Sequence, residues 1–269
     1  MDQIKKPLII ANWKMNPVSL KEAKYLFETV RNEVKKIKNK EVEIIFCPPF
    51  VWLDGLKSSF GKSAKLKTQI KLGAQNTFWE SKGAYTGEIS PLMLKYLGCR
   101  YVIIGHSERR QYLGETDEVI NQKIKTALRC GLKPILCVGE KERKDLETSS
   151  GTNQDINLMV GQQLEKNLQD ISVAKILDIV IAYEPVWAIG TADPCSSDQA
   201  MKAALFIRKV LTNLYRRNIA EQVKILYGGS VTSQIASEYV KGAGMDGLLI
   251  GGASLNVSEF VKIIEEVTR

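Results

Sequence analysis

Leu8-Ile9-Ile10-Ala11-Asn12-Trp13-Lys14 sets four apolar residues in a row against a polar turn that ends in lysine. An apolar run of this length without polar alternation marks a strand buried on both faces. The pattern returns at Val42–Phe46, Ile70–Ala74, Tyr101–Ile104, Pro134–Val138, Asp178–Tyr183, Lys224–Tyr227 and Gly247–Ile250. An open doubly wound sheet would place a glycine-rich turn directly after its first strand, and Asn12-Trp13-Lys14 has no glycine. Eight runs alternating with helical patterns, with no linker and no break in composition, predict an α/β fold. We read it as a single (β/α)8 barrel domain over residues 1–269, with eight parallel strands and outer helices.

The helical stretches carry their own boundaries. Leu20, Ala23, Phe27, Val30, Val34 and Ile37 step by three or four, and Ser19 with Glu22 forms a capping-box pattern at the start. Ser90-Pro91 opens a shorter helix that Gly98 ends, with proline just inside and glycine just beyond. Ile120, Ile124, Ala127 and Leu128 make a stripe closed by Gly131, and Ala200, Ala204, Ile207, Leu211 and Leu214 make another.

Composition narrows the class. The chain has 269 residues, 44% hydrophobic, with 38 Lys+Arg against 30 Asp+Glu and a net charge of +8. This is globular usage and excludes collagen, a disordered tail and a disulfide scaffold. Cys47, Cys99, Cys130, Cys137 and Cys195 contain no C-x-x-C pair and read as reduced thiols of a cytoplasmic protein. The apolar run behind Lys5 and Lys6 is too short for a signal peptide, and no stretch is long enough to span a membrane. The lysines at 35, 36, 38 and 40, and again from Lys57 to Lys71, do not alternate with aromatics. They read as solvated faces rather than a nucleic-acid surface, and the net field favours a small anionic ligand.

In such a barrel the polar residues just past the strand ends build the active site. Those positions hold Asn12 and Lys14 after the first strand, and His106, Ser107 and Glu108 after the fourth. Glu184 follows the sixth, Gly228-Gly229-Ser230 the seventh and Gly251-Gly252 the eighth. Singly, each has an ordinary reading: a solvated lysine, a structural histidine, tight glycine turns. Together, glycines after the last two strands mark a phosphate position where backbone N–H groups meet an anion. With one histidine and no clustered cysteines, no metal site is expected. A carboxylate, an imidazole and a lysine around a phosphate suit proton abstraction beside a carbonyl, with a Schiff base on Lys14 as the alternative.

Six stretches resemble motifs of the triosephosphate isomerase family: Asn12-Trp13-Lys14, 84–90 (AYTGEIS), 105–110 (GHSERR), 137–140 (CVGE), 182–191 (AYEPVWAIGT) and 227–230 (YGGS). They stand in the family's order and run nearly end to end. The resemblance implies a TIM barrel that interconverts dihydroxyacetone phosphate and glyceraldehyde 3-phosphate, in glycolysis and gluconeogenesis, without cofactor or metal. It implies Glu184 as the base, His106 as a neutral electrophile, Lys14 as the offsetting charge, Asn12 as a positioning group and Glu108 as support. Gly190, Ser230, Gly251 and Gly252, with Asn12 and Lys14, would hold the substrate and its phosphate.

The same resemblance makes Pro185, Val186, Trp187, Ala188, Ile189, Gly190, Thr191, Ala192, Asp193, Pro194 and Cys195 a lid. The family usually continues Gly-Lys-Thr-Ala where this chain has Ala192-Asp193-Pro194-Cys195. Lid kinetics are therefore expected to differ, and Cys195 is expected to be the accessible thiol. Residues 78–89 resemble a loop that reaches a second subunit and sets Thr86 near its site, implying a homodimer with neither nucleic-acid nor membrane partner. Without that cover, Phe78, Trp79 and Tyr85 would form an exposed apolar patch. The competing function is a catalytically silent barrel that binds a phosphorylated metabolite.

Overall fold

A computed structural model describes residues 6–37, 42–60, 69–141, 153–190 and 194–269 of the chain. The strands are β1 (Leu8–Asn12), β2 (Glu43–Cys47), β3 (Gln69–Ala74), β4 (Cys99–Ile104), β5 (Lys133–Val138), β6 (Val180–Tyr183), β7 (Lys224–Tyr227) and β8 (Gly247–Ile250). They pair in parallel, each with the next in the chain, and β8 closes onto β1 to complete the barrel. The predicted Asp178 start of the sixth strand falls two residues early. Asp178 instead donates its N–H to the Lys175 carbonyl in a turn and ion-pairs with Lys133 at 3.2 Å.

Helices cover the outside, chiefly α1 (Leu20–Lys36), α2 (Phe50–Phe60), α3 (Pro91–Tyr96), α4 (Ser107–Leu113), α5 (Asp117–Arg129), α6 (Asn153–Asn167), α7 (Val173–Ile176), α8 (Ser197–Tyr215), α9 (Arg217–Ala220) and α10 (Val257–Thr268). Their starts follow from local chemistry. The Ser19 hydroxyl accepts from the Glu22 N–H to cap α1, and Ser90 does the same for Leu92 at the start of α3. The full reciprocal box forms at Ser196 and Gln199, ahead of α8.

Alternation along each strand divides the interior in two. Leu8, Ile10, Ile45, Cys47, Ile103, Ile135, Val180, Ala182, Leu226 and Leu249 fill the barrel. Ile9, Ile44, Val102, Leu136, Ile181 and Ile225 face outward against the helices. Phe46 meets Trp13, Phe27 and Phe260 edge-on at 5.7, 5.1 and 6.0 Å, tying β1, β2, α1 and α10 together. The parallel strands thus end in one ring, with the loops that carry the polar motifs along its rim.

One lysine of the supposed solvated cluster does something else. Lys71 lies on β3 and donates to Glu43 at 2.6 Å, and the Tyr101 hydroxyl donates to the same oxygen at 2.8 Å. Burial raises the Glu43 pKa, but these hydrogen bonds and the Lys71 and Lys224 charges outweigh it and leave the carboxyl below its ordinary value. Stability from this group is therefore fully present above the ordinary value of 4.5 and lost as the pH falls below it. We expect Lys71→Met to cost about 1–3 kcal/mol near neutrality. Urea melts of the variant between neutral and acid pH are expected to show a smaller difference from wild type in acid.

Candidate active site

The first turn of α4 organises the site. Gly105, at φ +75°, turns the chain out of β4 so that His106 stands at the helix start. The Nδ1 atom of His106 accepts from the Glu108 N–H at 3.2 Å. An Nδ1 that accepts carries no proton, so this contact fits the tautomer with the ring proton on Nε2. The Ser107 N–H donates to Glu184 Oε2 at 2.8 Å, and His106 Nε2 lies 3.2 Å from Glu184 Oε1. That second approach is close but lacks full hydrogen-bond alignment, leaving Oε1 buried without a formal partner. His106 and Glu184 are 6% and 1% exposed, so both face a medium in which charge and proton position matter. Arg110 braces the turn by donating from Nε to the Gly105 carbonyl at 2.8 Å while its Nη1 pairs with Asp117 at 2.6 Å.

Lys14 and Asn12 come from the end of β1. Lys14 holds φ +53°, a left-handed conformation for a residue with a side chain. Its N–H donates to Asn12 Oδ1 at 3.1 Å, and Gln75 Nε2 donates to its carbonyl at 2.7 Å and to that of Cys47 at 2.9 Å. The Lys14 ammonium meets Glu108 Oε1 at 2.5 Å, a half-exposed pair at the cavity mouth. This pairing engages the ammonium with a carboxylate, which does not suit a Schiff-base nucleophile.

A cavity of about 340 Å³ opens at the rim, lined by Asn12, Lys14, His106, Gly190, Ser230, Gly251 and Gly252 among others. Seven of the eight residues expected to act on or hold the substrate come together there, apart from the supporting Glu108. Glu184 is the exception. It lines a neighbouring cavity of about 180 Å³ with Ser107, Cys137 and Gly139, because the Ser107 N–H holds its carboxylate to that side. Glycines make room for it: a Cβ on Gly139 would stand 1.7 Å from the Glu184 carbonyl oxygen, and one on Gly228 would stand 3.1 Å from its Cγ.

The described part of the 185–195 loop is tied down at several points. Val186–Ala188 forms a short 3-10 turn, and Gly190, at φ +71°, donates its N–H to Ser230 Oγ at 3.1 Å. Ser230 Oγ in turn donates to the Ala188 carbonyl at 2.7 Å. Thr191, Ala192 and Asp193 lie outside the described residues. Trp187 Nε1 and the Tyr183 hydroxyl both donate to Glu140 Oε1, at 2.9 and 2.8 Å. Burial raises the Glu140 pKa, with those two hydrogen bonds opposing.

Sequence reasoning assigned no role to Glu140, Gln75 or Arg110. Glu140 follows β5 as Glu184 follows β6, so reading every strand end would have found it. Gln75 acts on carbonyls 61 and 28 residues away and leaves no local signal, whereas Arg110 braces the turn within its own segment.

Two expectations need correction. Cys195 is 1% exposed, because the chain turns inward ahead of α8 and the Tyr239 hydroxyl takes its carbonyl. Among the cysteines, Cys130 is the one not buried. Phe78, Trp79 and Tyr85 do not form a bare patch: Phe78 is buried, with Trp79 at 3.9 Å and Tyr85 at 4.7 Å between ring centroids. What is exposed is the stretch 82–88, including Thr86. Among the described residues, no group of three or more His, Cys, Asp or Glu is placed to hold a metal ion, and no helix is long and apolar enough to cross a membrane.

Closed parallel barrel, rim cavity, and a buried carboxylate beside a buried imidazole define a (β/α)8 barrel enzyme of the proton-transferring kind. The family model of triosephosphate isomerase matches residues 7–267. A triosephosphate isomerase of Dictyoglomus thermophilum is 44% identical over 263 residues, covering 97% of this chain and all of its own. One from Alkaliphilus oremlandii is 44% identical over 263 residues, covering 97% of this chain and 99% of its own. Another, from Dehalococcoides mccartyi, is 45% identical over 259 residues, covering 96% and 95%. The chain belongs to the triosephosphate isomerase family. Membership favours the isomerase over the silent phosphate-binding barrel.

We expect Gly139→Ala to push the Glu184 backbone away and to lower kcat/KM by about a hundredfold, as displacement by about an ångström does. Steady-state kinetics beside a melting curve checks this, with the fold retained and the activity lost.

Proposed function

We propose that the residues of this chain divide the family's reaction as follows. The reaction is the isomerisation of dihydroxyacetone phosphate and D-glyceraldehyde 3-phosphate, an aldose–ketose step of glycolysis that passes through an enediolate. Glu184 removes a proton from the carbon beside the carbonyl and returns it to the neighbouring carbon. His106 donates from Nε2 to the carbonyl oxygen and then to the enediolate oxygens. Being neutral, it donates without leaving a strongly acidic imidazolium beside the base. Lys14 offsets the negative charge, Asn12 orients the substrate, and Glu108 holds the ammonium until substrate arrives. Gly190, Ser230, Gly251 and Gly252 take the phosphate.

The observation that carries this reading is the coupled geometry at α4. Adjacent backbone N–H groups hold Glu184 at 2.8 Å and His106 Nδ1 at 3.2 Å, with Nε2 only 3.2 Å from the carboxylate. Leaving Ser107 for the substrate frees the carboxylate from its backbone donor to act on the carbon beside the carbonyl. Residues 185–195 act as the lid that excludes water and so protects the enediolate from losing phosphate. Thr86 and its exposed loop serve a homodimer contact, and the chain works as one cytoplasmic domain on a small anionic substrate, without cofactor.

Glu184→Gln tests the assignment. We expect kcat for glyceraldehyde 3-phosphate to fall by about 10²–10⁴, the range for a lost general base, with substrate still bound. Sedimentation of the same samples reports the oligomer, and a dimer is expected for both proteins. Unchanged turnover in the variant would remove Glu184 from the base role.

A further inference from the structure

Gly139 is the first residue past β5, and its neighbours on either side bind the end of β6. The Val138 carbonyl accepts from the Glu184 N–H at 2.8 Å, and the Glu140 carbonyl accepts from the Val186 N–H at 3.0 Å. Successive residues of a strand turn their N–H and C=O groups to opposite sides, so those of Gly139 point away from β6. On that side the partner of β5 is β4, but the chain has already left the barrel there through the Gly105 turn. A side chain of α6 stands in its place. The Gly139 N–H donates to Gln163 Oε1 at 2.9 Å, and Gln163 Nε2 donates to the Gly139 carbonyl at 3.0 Å. A side-chain amide carries the same donor and acceptor as a peptide, so it completes the ladder that β4 abandons. Gln163 also lines the cavity of about 180 Å³ that holds the Glu184 carboxylate.

We propose that Gln163 is a positioning residue for Glu184, acting through the Gly139 backbone. The proposal rests on the reading of Glu184 as the base. Gly139 has no side chain to anchor it, and the close approach that demands glycine there sets its Cα directly against the Glu184 carbonyl. Two hydrogen bonds from Gln163 hold this peptide from the outer side, while the Val138 and Glu140 carbonyls bracket Glu184 from the same stretch of chain. Without the amide those two bonds are gone and the peptide is free to shift. Glu184 shifts with it, because its N–H and that of Val186 are bound to the residues on either side of Gly139. The phosphate turns are not reached by this shift, since Lys14, Ser230, Gly251 and Gly252 line the other cavity, to which Gln163 and Gly139 do not contribute. Loss of Gln163 therefore affects the proton transfer and spares substrate binding.

The test is Gln163→Met, which keeps the length of the side chain and a good helix former but removes both hydrogen bonds, made in the wild-type and the Glu184→Gln backgrounds. Steady-state kinetics with glyceraldehyde 3-phosphate are read beside a melting curve. In the wild-type background we expect kcat to fall about tenfold, less than the roughly hundredfold of a full ångström's displacement, with KM within about twofold. In the Glu184→Gln background no base remains to be placed, so the added change is expected to alter residual turnover less than about twofold. The same split is expected of Gln163→Glu, which keeps an acceptor for the Gly139 N–H but has no donor for its carbonyl, and this variant serves if the first does not fold. Wild-type kcat in both variants overturns the proposal, as does a raised KM with kcat kept. A fall of equal size in both backgrounds also overturns it, because Gln163 is then only structural. Wild-type turnover in Glu184→Gln itself removes the base reading, and this inference with it. A collapse there beside an unchanged Gln163→Met removes this inference alone.

Discussion

A helix begins with N–H groups that have no partner within the helix, and this molecule spends two of them on its active site. At the start of α4 the Ser107 N–H holds the Glu184 carboxylate and the Glu108 N–H holds His106 Nδ1. The backbone thereby sets the position of a carboxylate delivered from β6 and the tautomer of an imidazole delivered from β4. Other elements serve this arrangement. Arg110 pins the Gly105 carbonyl, and Gly139 and Gly228 leave room for Glu184.

The barrel makes such a convergence possible. Eight parallel strands closed in chain order bring residues from Lys14 to Gly252 to one rim, although they lie more than two hundred residues apart in sequence. Rigidity of the wall matters as much as topology. The edge-on contacts around Phe46 join the first two strands to the first and last helices and hold the end of β1, where Lys14 keeps its left-handed backbone. That conformation is unfavourable in isolation and persists because Gln75 and Asn12 satisfy the polar atoms around it.

Much of this was legible in the sequence for plain physical reasons. Strands buried on both faces leave unbroken apolar runs, and caps such as Ser90-Pro91 with Gly98 mark helix ends locally. Strand-end polar residues named most of the site, because the fold puts strand ends together. What was not legible depends on distance or direction. The run of lysines ending at Lys71 gave no hint that this one pairs with a half-buried carboxylate, since the partner lies on another strand. Cys195 was expected to be accessible as the end of the lid segment, yet it is buried and the Tyr239 hydroxyl, 44 residues away, donates to its carbonyl. The sideways hold on Glu184 is likewise a matter of one backbone N–H on a distant helix.

The tautomer of His106 is the most direct test of this account, and the sequence makes it simple. The chain has one histidine, so the imidazole nitrogen signals need no assignment. Nitrogen-15 NMR of uniformly labelled protein at about pH 8, above the ordinary imidazole range near 6.5, reads the two ring nitrogens separately. The account predicts a protonated Nε2 and an unprotonated Nδ1, as the Glu108 N–H requires. A proton found on Nδ1 would contradict it, since the helix start could not then orient the imidazole toward Glu184.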